Sequence, residues 1–144
     1  MILSNLEDAE WIKVDKAAFP GSHSNHHLDT LAGLAIAVEE MLAFGQEYAA
    51  RVVDNARALG SALDKAGFGV QAREFGYTDS HQIAVDMGEF GGGKASGDIL
   101  ERNNIIVNMN LLPFEEVRNV TKPRGIRIGV QEMTRMGMKK PEIK

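Results

Sequence analysis

The residue with the sharpest chemical potential in this 144-residue chain is an arginine, Arg127, set between two isoleucines in GIRIG and fenced by Gly125 and Gly129. A run this apolar reads as a buried strand, and a charge in such a strand has to be paired, because an unpaired buried charge costs several kcal/mol. Two kinds of partner meet that need. One is an internal Asp or Glu. The other is a carboxylate or phosphate ligand, which the planar guanidinium grips with two parallel hydrogen bonds. The flanking glycines would let a ligand or another backbone come close.

Three further groups invite chemistry. The loop GEFGGGKA, residues 88–95, has the G-x-x-x-x-G-K spacing of a phosphate-cradling turn, but Ala95 stands where a magnesium-binding hydroxyl belongs and Ser96 comes one place late. Flexible glycines in a strand-to-helix turn account for the same residues. His23, His26 and His27, with Asp29 beyond, carry the right donors for zinc. Their spacing fits no common zinc pattern, so a polar capping or partner-contacting loop is the simpler reading and no metal site is expected. Asn108 and Asn110 alternate at the end of an apolar run, where amides either form turns or read the donor and acceptor edge of a heterocycle.

The elements that must position these groups follow from periodicity. Ser4 or Asn5 can cap a short helix through Lys16, stopped by Phe19-Pro20-Gly21. Leu31, Leu34, Ala35, Val38, Met41 and Leu42 recur at helical spacing over 28–42, with Asn25 as N-cap and Gly45 as stop. A second helix, 46–66, carries the stripe Tyr48, Val52, Ala56, Leu59 and Leu63 and ends at Lys65 and Gly67. Strands are expected at 69–74, 82–87, 105–107 and 125–129, with a helix at 94–102. That order predicts an α/β (α+β) fold: a sheet of about four strands covered by helices on one face, preceded by a long helical arm.

Composition narrows the function classes. An apolar fraction of 44% with 25% charged residues describes a folded single domain or a piece of a larger one. The net charge is −4, with Lys and Arg scattered, which argues against a nucleic-acid surface. The longest apolar run, 31–38, is too short to span a bilayer. Asn5, Glu7 and Asp8 follow the start at once, so no secretory signal is expected and the localisation expected is cytoplasmic. The chain has no cysteine, hence no thiolate chemistry.

Five blocks occur in order: FPGSHSNHHLDTLAGLAIAVEEM, YAARVVDNARALGSAL, SHQIAVDM, LERNNIIVNMNLLPF and GIRIGVQEMTRMGM. Together they resemble serine (glycine) hydroxymethyltransferase, a pyridoxal-phosphate enzyme of fold type I. SNHHL, NLLPF and GIRIGVQE are most similar to its archaeal branch. The resemblance runs from Met1 to about Met138 and covers only the family's C-terminal portion. It implies that 1–66 are the end of the large domain and its connecting helices. Residues 67–144 would then be the small C-terminal α/β domain without its final helix. The lysine that carries the cofactor would lie upstream, so the chain by itself would be inactive and supply no catalytic residue.

Residue by residue, the resemblance implies that Arg127 binds the substrate carboxylate and that Asn110 lies near the bound pteridine. Met109 stands where a lysine is common. Ser24 and Asn25 occupy the positions of two glycines that approach the cofactor phosphate of the neighbouring subunit. Asp29 replaces a usual histidine, and Val130-Gln131 replace a usual Thr-Pro. The implied activity is transfer of a hydroxymethyl group between serine or glycine and a reduced pteridine, tetrahydrofolate or tetrahydromethanopterin, in a cytoplasmic homodimer with pyridoxal phosphate. The competing readings are a stand-alone ligand-binding or interaction module and a nucleotide-binding P-loop protein.

Overall fold

The helix α1, Asp8–Lys16, has Asp8 and Glu10 in its first turn and Lys13 and Lys16 in its last, the charge order that complements the helix dipole. It starts later than Ser4 or Asn5, because the Ser4 hydroxyl accepts the Leu6 N–H instead of capping a helix. The computed structural model describes residues 4–25 and 27–143. They fall into two compact units, Met1–Ala43 and Phe44–Lys144.

In the first unit α1 runs into a wide turn, Ala17–Ser22, broken by the non-helical Phe19 and Pro20. Helix α2, Leu28–Lys65, then begins. Its first hydrogen bond is accepted by the His27 carbonyl, so His27 and not Asn25 holds the N-cap position. The stop expected at Gly45 does not occur. Gly45 is absent from the positive-φ glycines, and a glycine inside a helix costs only about 1 kcal/mol. Helix formers follow it at once, and Glu47 pairs with Arg51 one turn on. The stop comes at Gly67, whose φ of +92° suits a residue without Cβ. There the Phe68 N–H bonds the Leu63 carbonyl and the Gly67 N–H the Asp64 carbonyl, the double closure of a Schellman turn.

The second unit is built on one sheet of four strands in the order β1-β2-β4-β3, all antiparallel. The strands are β1 (Gly69–Val70), β2 (Gln82–Asp86), β3 (Asn108–Asn110) and β4 (Gly125–Gly129). Helix α3, Gly92–Arg102, connects β2 to β3, and the short helices α4 (Gln131–Arg135) and α5 (Lys140–Ile143) follow β4. Val52 and Ala56 of α2 pack on Val70, Ile83, Val85, Met87, Ile126 and Val130, with Leu100 of α3 against the same cluster. Both helices therefore cover one face. Among the described residues, no helix is long and apolar enough to cross a membrane.

Two strands differ from expectation. β1 is two residues long because the chain turns away at Ala72, which adopts a left-handed φ of 56°. The third strand is not 105–107 but Asn108–Asn110. After α3 ends, Asn104 takes a φ of 62°, and Ile105 and Ile106 cross to the sheet edge 50% and 86% exposed. Ladder pairing with β4 starts only at Asn108.

Candidate anion site on the open face of the sheet

Alternation decides which side chains leave the core. Along β2, Ile83 and Val85 are buried while Gln82, Ala84 and Asp86 are half-buried, so the even positions form the face away from the helices. On β4 the buried Ile126 belongs to the core, and Arg127 stands on the other face. Arg127 is paired directly with Ala84 on one side and Asn108 on the other. It is half-buried, and among the described residues its guanidinium has no hydrogen bond or ion pair. The internal acid that could have satisfied it does not do so.

The glycines around Arg127 turn out to admit side chains rather than open space. A Cβ on Gly125 would come within 2.5 Å of Leu112 Cδ2, and one on Gly129 within 2.5 Å of Gln131 Oε1. Leu112 and Gln131 therefore lie over the two glycines that bracket Arg127. The Gln131 Oε1 is buried without a partner among the described residues.

Asn108 and Asn110 share this face. Asn110 donates its Nδ2 to the Leu111 carbonyl at 2.7 Å, which fixes the amide and leaves its oxygen as an acceptor. Asn108 is exposed directly beside Arg127. Met109 pairs with Ile126 and so points to the opposite face. Beyond β3 the chain makes an excursion over 111–124 that a single carboxylate closes: Glu115 accepts the Leu112 N–H at 2.8 Å and the Arg124 N–H at 2.9 Å.

Asp86 is the acid on this face. Its Oδ1 receives Arg124 Nε at 2.6 Å and the Gly88 N–H at 2.8 Å. The Arg124 hydrogen bond, helped by the Gly88 N–H and opposed by burial, holds the Asp86 carboxyl below the usual aspartate value. The Arg124 guanidinium is raised in turn, chiefly by that same bond. Asp86, Arg124, Glu115, Leu112 and Gln131 escape sequence reasoning, because their roles depend on strand register and on the path of the 111–124 excursion. The one local signal was the acid at the end of an alternating strand.

The glycine loop is tied into the second unit by its own hydrogen bonds. In the glycine loop, the Phe90 and Gly92 N–H groups bond the Met87 carbonyl, Gly93 N–H bonds the Pro123 carbonyl and Gly88 N–H bonds Asp86. These four donors are therefore not available to a phosphate, and Lys94 pairs with Asp98 at 3.1 Å on its own helix. Its glycines are steric instead: a Cβ on Gly93 would meet the Gly125 carbonyl at 2.3 Å. His26 lies outside the described residues, and among those described no group of three or more acidic or imidazole side chains could hold a metal. Ser24 and Asn25 form an exposed bend in the first unit, and the Ser24 hydroxyl has no partner among the described residues.

An antiparallel sheet backed by helices on one face, with an arginine on the other face that has no partner among the described residues and carboxamides beside it, defines a small α/β domain with a candidate anion site. Residues 3–144 match the family model described as serine hydroxymethyltransferase. The chain belongs to the serine hydroxymethyltransferase family. It is 53% identical to a serine hydroxymethyltransferase of Methanocella arvoryzae over 91% of this chain and 31% of that protein. It is also 51% identical to that of Archaeoglobus fulgidus over the whole chain and 32% of the relative. For the Thermoplasma volcanium protein the figures are 49%, the whole chain and 34%. The chain thus spans about a third of the length of the curated relatives it matches.

Proposed function

We propose that this chain provides the substrate-carboxylate site of a serine/glycine hydroxymethyltransferase, an enzyme that moves a hydroxymethyl group between serine and a reduced pteridine, tetrahydrofolate or tetrahydromethanopterin. The observation that carries this reading is the Arg127 guanidinium, set in the middle of a sheet without an acidic partner among the described residues. A fork of that shape grips a carboxylate with two charge-assisted bonds and so fixes the orientation of the α-carbon beside it. Asn110, its amide already anchored, offers an oxygen toward the donor edge of a pteridine, and Asn108 offers a second amide on the same face.

The cofactor that the family implies is pyridoxal phosphate. On this chain the Ser24 hydroxyl, without a partner among the described residues and on the exposed bend it shares with Asn25, would be a donor to its phosphate end. These residues would hold the phosphate, across the subunit boundary of a homodimer. When bound, the cofactor supplies an electron sink for chemistry at the substrate α-carbon.

The test is substitution of Arg127 in the complete enzyme. Arg127→Gln removes the charge and half of the fork, and should raise KM for serine about 10- to 100-fold, the scale of one or two charge-assisted hydrogen bonds. Arg127→Lys restores charge without the planar fork and should recover only part of that loss. A KM for serine close to that of the unmodified enzyme in the Gln variant overturns the reading.

A further inference from the structure

Arg127 is available to an external anion only if the acid nearest to it on its own face does not take it first. The β2–β4 register sets Arg127 opposite Ala84 and Asp86 opposite Gly125, so Asp86 is the diagonal neighbour of Arg127. Diagonal positions on one face of an antiparallel pair lie about 7–8 Å apart, within reach of a long side chain. An ion pair between these two residues is within reach, yet none is formed. Asp86 is held by Arg124 instead, at 2.6 Å, and by the Gly88 N–H.

The surroundings are shaped to keep it so. A Cβ on Gly88 would fall 2.2 Å from Arg124 Nε and 2.3 Å from its Cζ, so the guanidinium occupies space that only a glycine leaves open. The Arg124 backbone N–H is tied to Glu115 at 2.9 Å, so the residue is held at its backbone as well as at its guanidinium. Glu115 is itself committed through its other oxygen to the Leu112 N–H.

We propose that Arg124 is a positioning residue: by holding Asp86 in an ion pair it denies Arg127 an internal partner and leaves that guanidinium for a substrate carboxylate. The substrate half of this inference rests on the carboxylate reading of Arg127 given above. The Asp86 half does not, and the two are separable by experiment.

Arg124→Gln frees Asp86 to swing to Arg127. Adding Asp86→Asn removes the competitor and frees Arg127 again, although it leaves the original ion pair just as broken. A purely structural pair predicts no such rescue. The direct readout is the Nε–Hε correlation of Arg127 in the 15N-labelled chain, assigned by its loss in Arg127→Gln. It should move downfield in Arg124→Gln, as a carboxylate comes to accept it, and return in the double variant. Gly88→Ala displaces the Arg124 guanidinium without changing any charge. It should move the same resonance, again reversed by Asp86→Asn, and it serves as the test if Arg124→Gln does not fold.

In the complete enzyme, Arg124→Gln should raise KM for serine about two- to fivefold, the scale of one exposed ion pair, with kcat retained and KM restored by Asp86→Asn. An Arg127 resonance that stays in place in the folded variants overturns the inference whatever the kinetics show. A resonance that moves while KM is indifferent to Arg127→Gln overturns the carboxylate reading, and with it the substrate half of the inference.

Discussion

Asn55 of α2 donates its side-chain amide to the hydroxyl of Thr134 at 3.0 Å, across 79 residues of chain. The same nitrogen reaches the Met138 carbonyl at 2.9 Å, and Thr134 in turn donates to the Val130 carbonyl at 2.7 Å. Both side chains are buried, Asn55 at 2% exposure. Val130 directly follows β4, so this relay fixes the strand that carries Arg127 to the helix beneath it. Asn55→Ala leaves the Met138 carbonyl without its donor and opens a small void. It should destabilise the fold by about 1–3 kcal/mol, read as a lower urea midpoint at an unchanged m-value. An unchanged midpoint would show that the relay contributes no stability.

Glu115 closes the 111–124 excursion with one carboxylate on two backbone N–H groups. In Glu115→Ala both amides lose their acceptor. Leu112 and Arg124 should then exchange hydrogen about fivefold faster or more, the equivalent of about 1 kcal/mol each. The Ile126 amide, inside the β4 ladder, should be unchanged. Equal acceleration at all three would mean that the carboxylate supports the sheet as a whole rather than the closure.

The parts of this fold that were legible are those written in local periodicity. Ile83 and Val85 alternate along β2, Ile126 and Ile128 along β4, and Gly67 stops α2 as its position suggests. What failed did so because a distant partner or a tolerated exception decided it. Gly45 looks like a stop, yet helix formers on both sides carry α2 through it. Ile105 and Ile106 are more apolar than Asn108-Met109-Asn110, yet hydrogen-bond register places the amide-bearing residues on the ladder. In the candidate site, Arg127 is conspicuous because a charge stands in an apolar run. Its neighbours are not. Asp86 and Arg124 are 38 residues apart, and nothing local in the chain announces that they meet.

Glycine substitutions separate crowded from open helix positions. Gly→Ala within a helix normally stabilises by about 1 kcal/mol. On Gly60 of α2, however, a Cβ would fall 2.8 Å from Tyr77 Cγ and 2.9 Å from its Cβ. Tyr77 cannot easily retreat: it sits at a φ of 74° with its hydroxyl 2.9 Å from Asp64 Oδ2, which also pairs with Arg73. Gly60→Ala should therefore destabilise by about 1–3 kcal/mol through overpacking. Gly33→Ala, where a Cβ meets nothing within 4 Å, should be neutral or stabilising. Thermal unfolding of the two variants decides it, and a raised Tm for Gly60→Ala would contradict the packing described.

Acid should remove one specific contribution to stability, that of Asp86. In the folded chain its carboxyl lies below the ordinary value of 3.8, mainly through the Arg124 hydrogen bond. Above 3.8 the group is charged in both the folded and unfolded chain, and the contribution of the pair is complete. As pH falls below that value the unfolded chain takes up the proton first, which favours unfolding. The contribution is lost as pH drops on through the lowered folded value. Asp86→Asn lacks the group, so the stability gap between it and the unmodified chain should be largest near neutrality and close as the solution is acidified. Urea midpoints of both proteins from about pH 6 down to about pH 2.5 follow that gap directly. A gap that stays constant into acid would mean that Asp86 titrates alike in both states, and that the Arg124 bond does not favour its charged form.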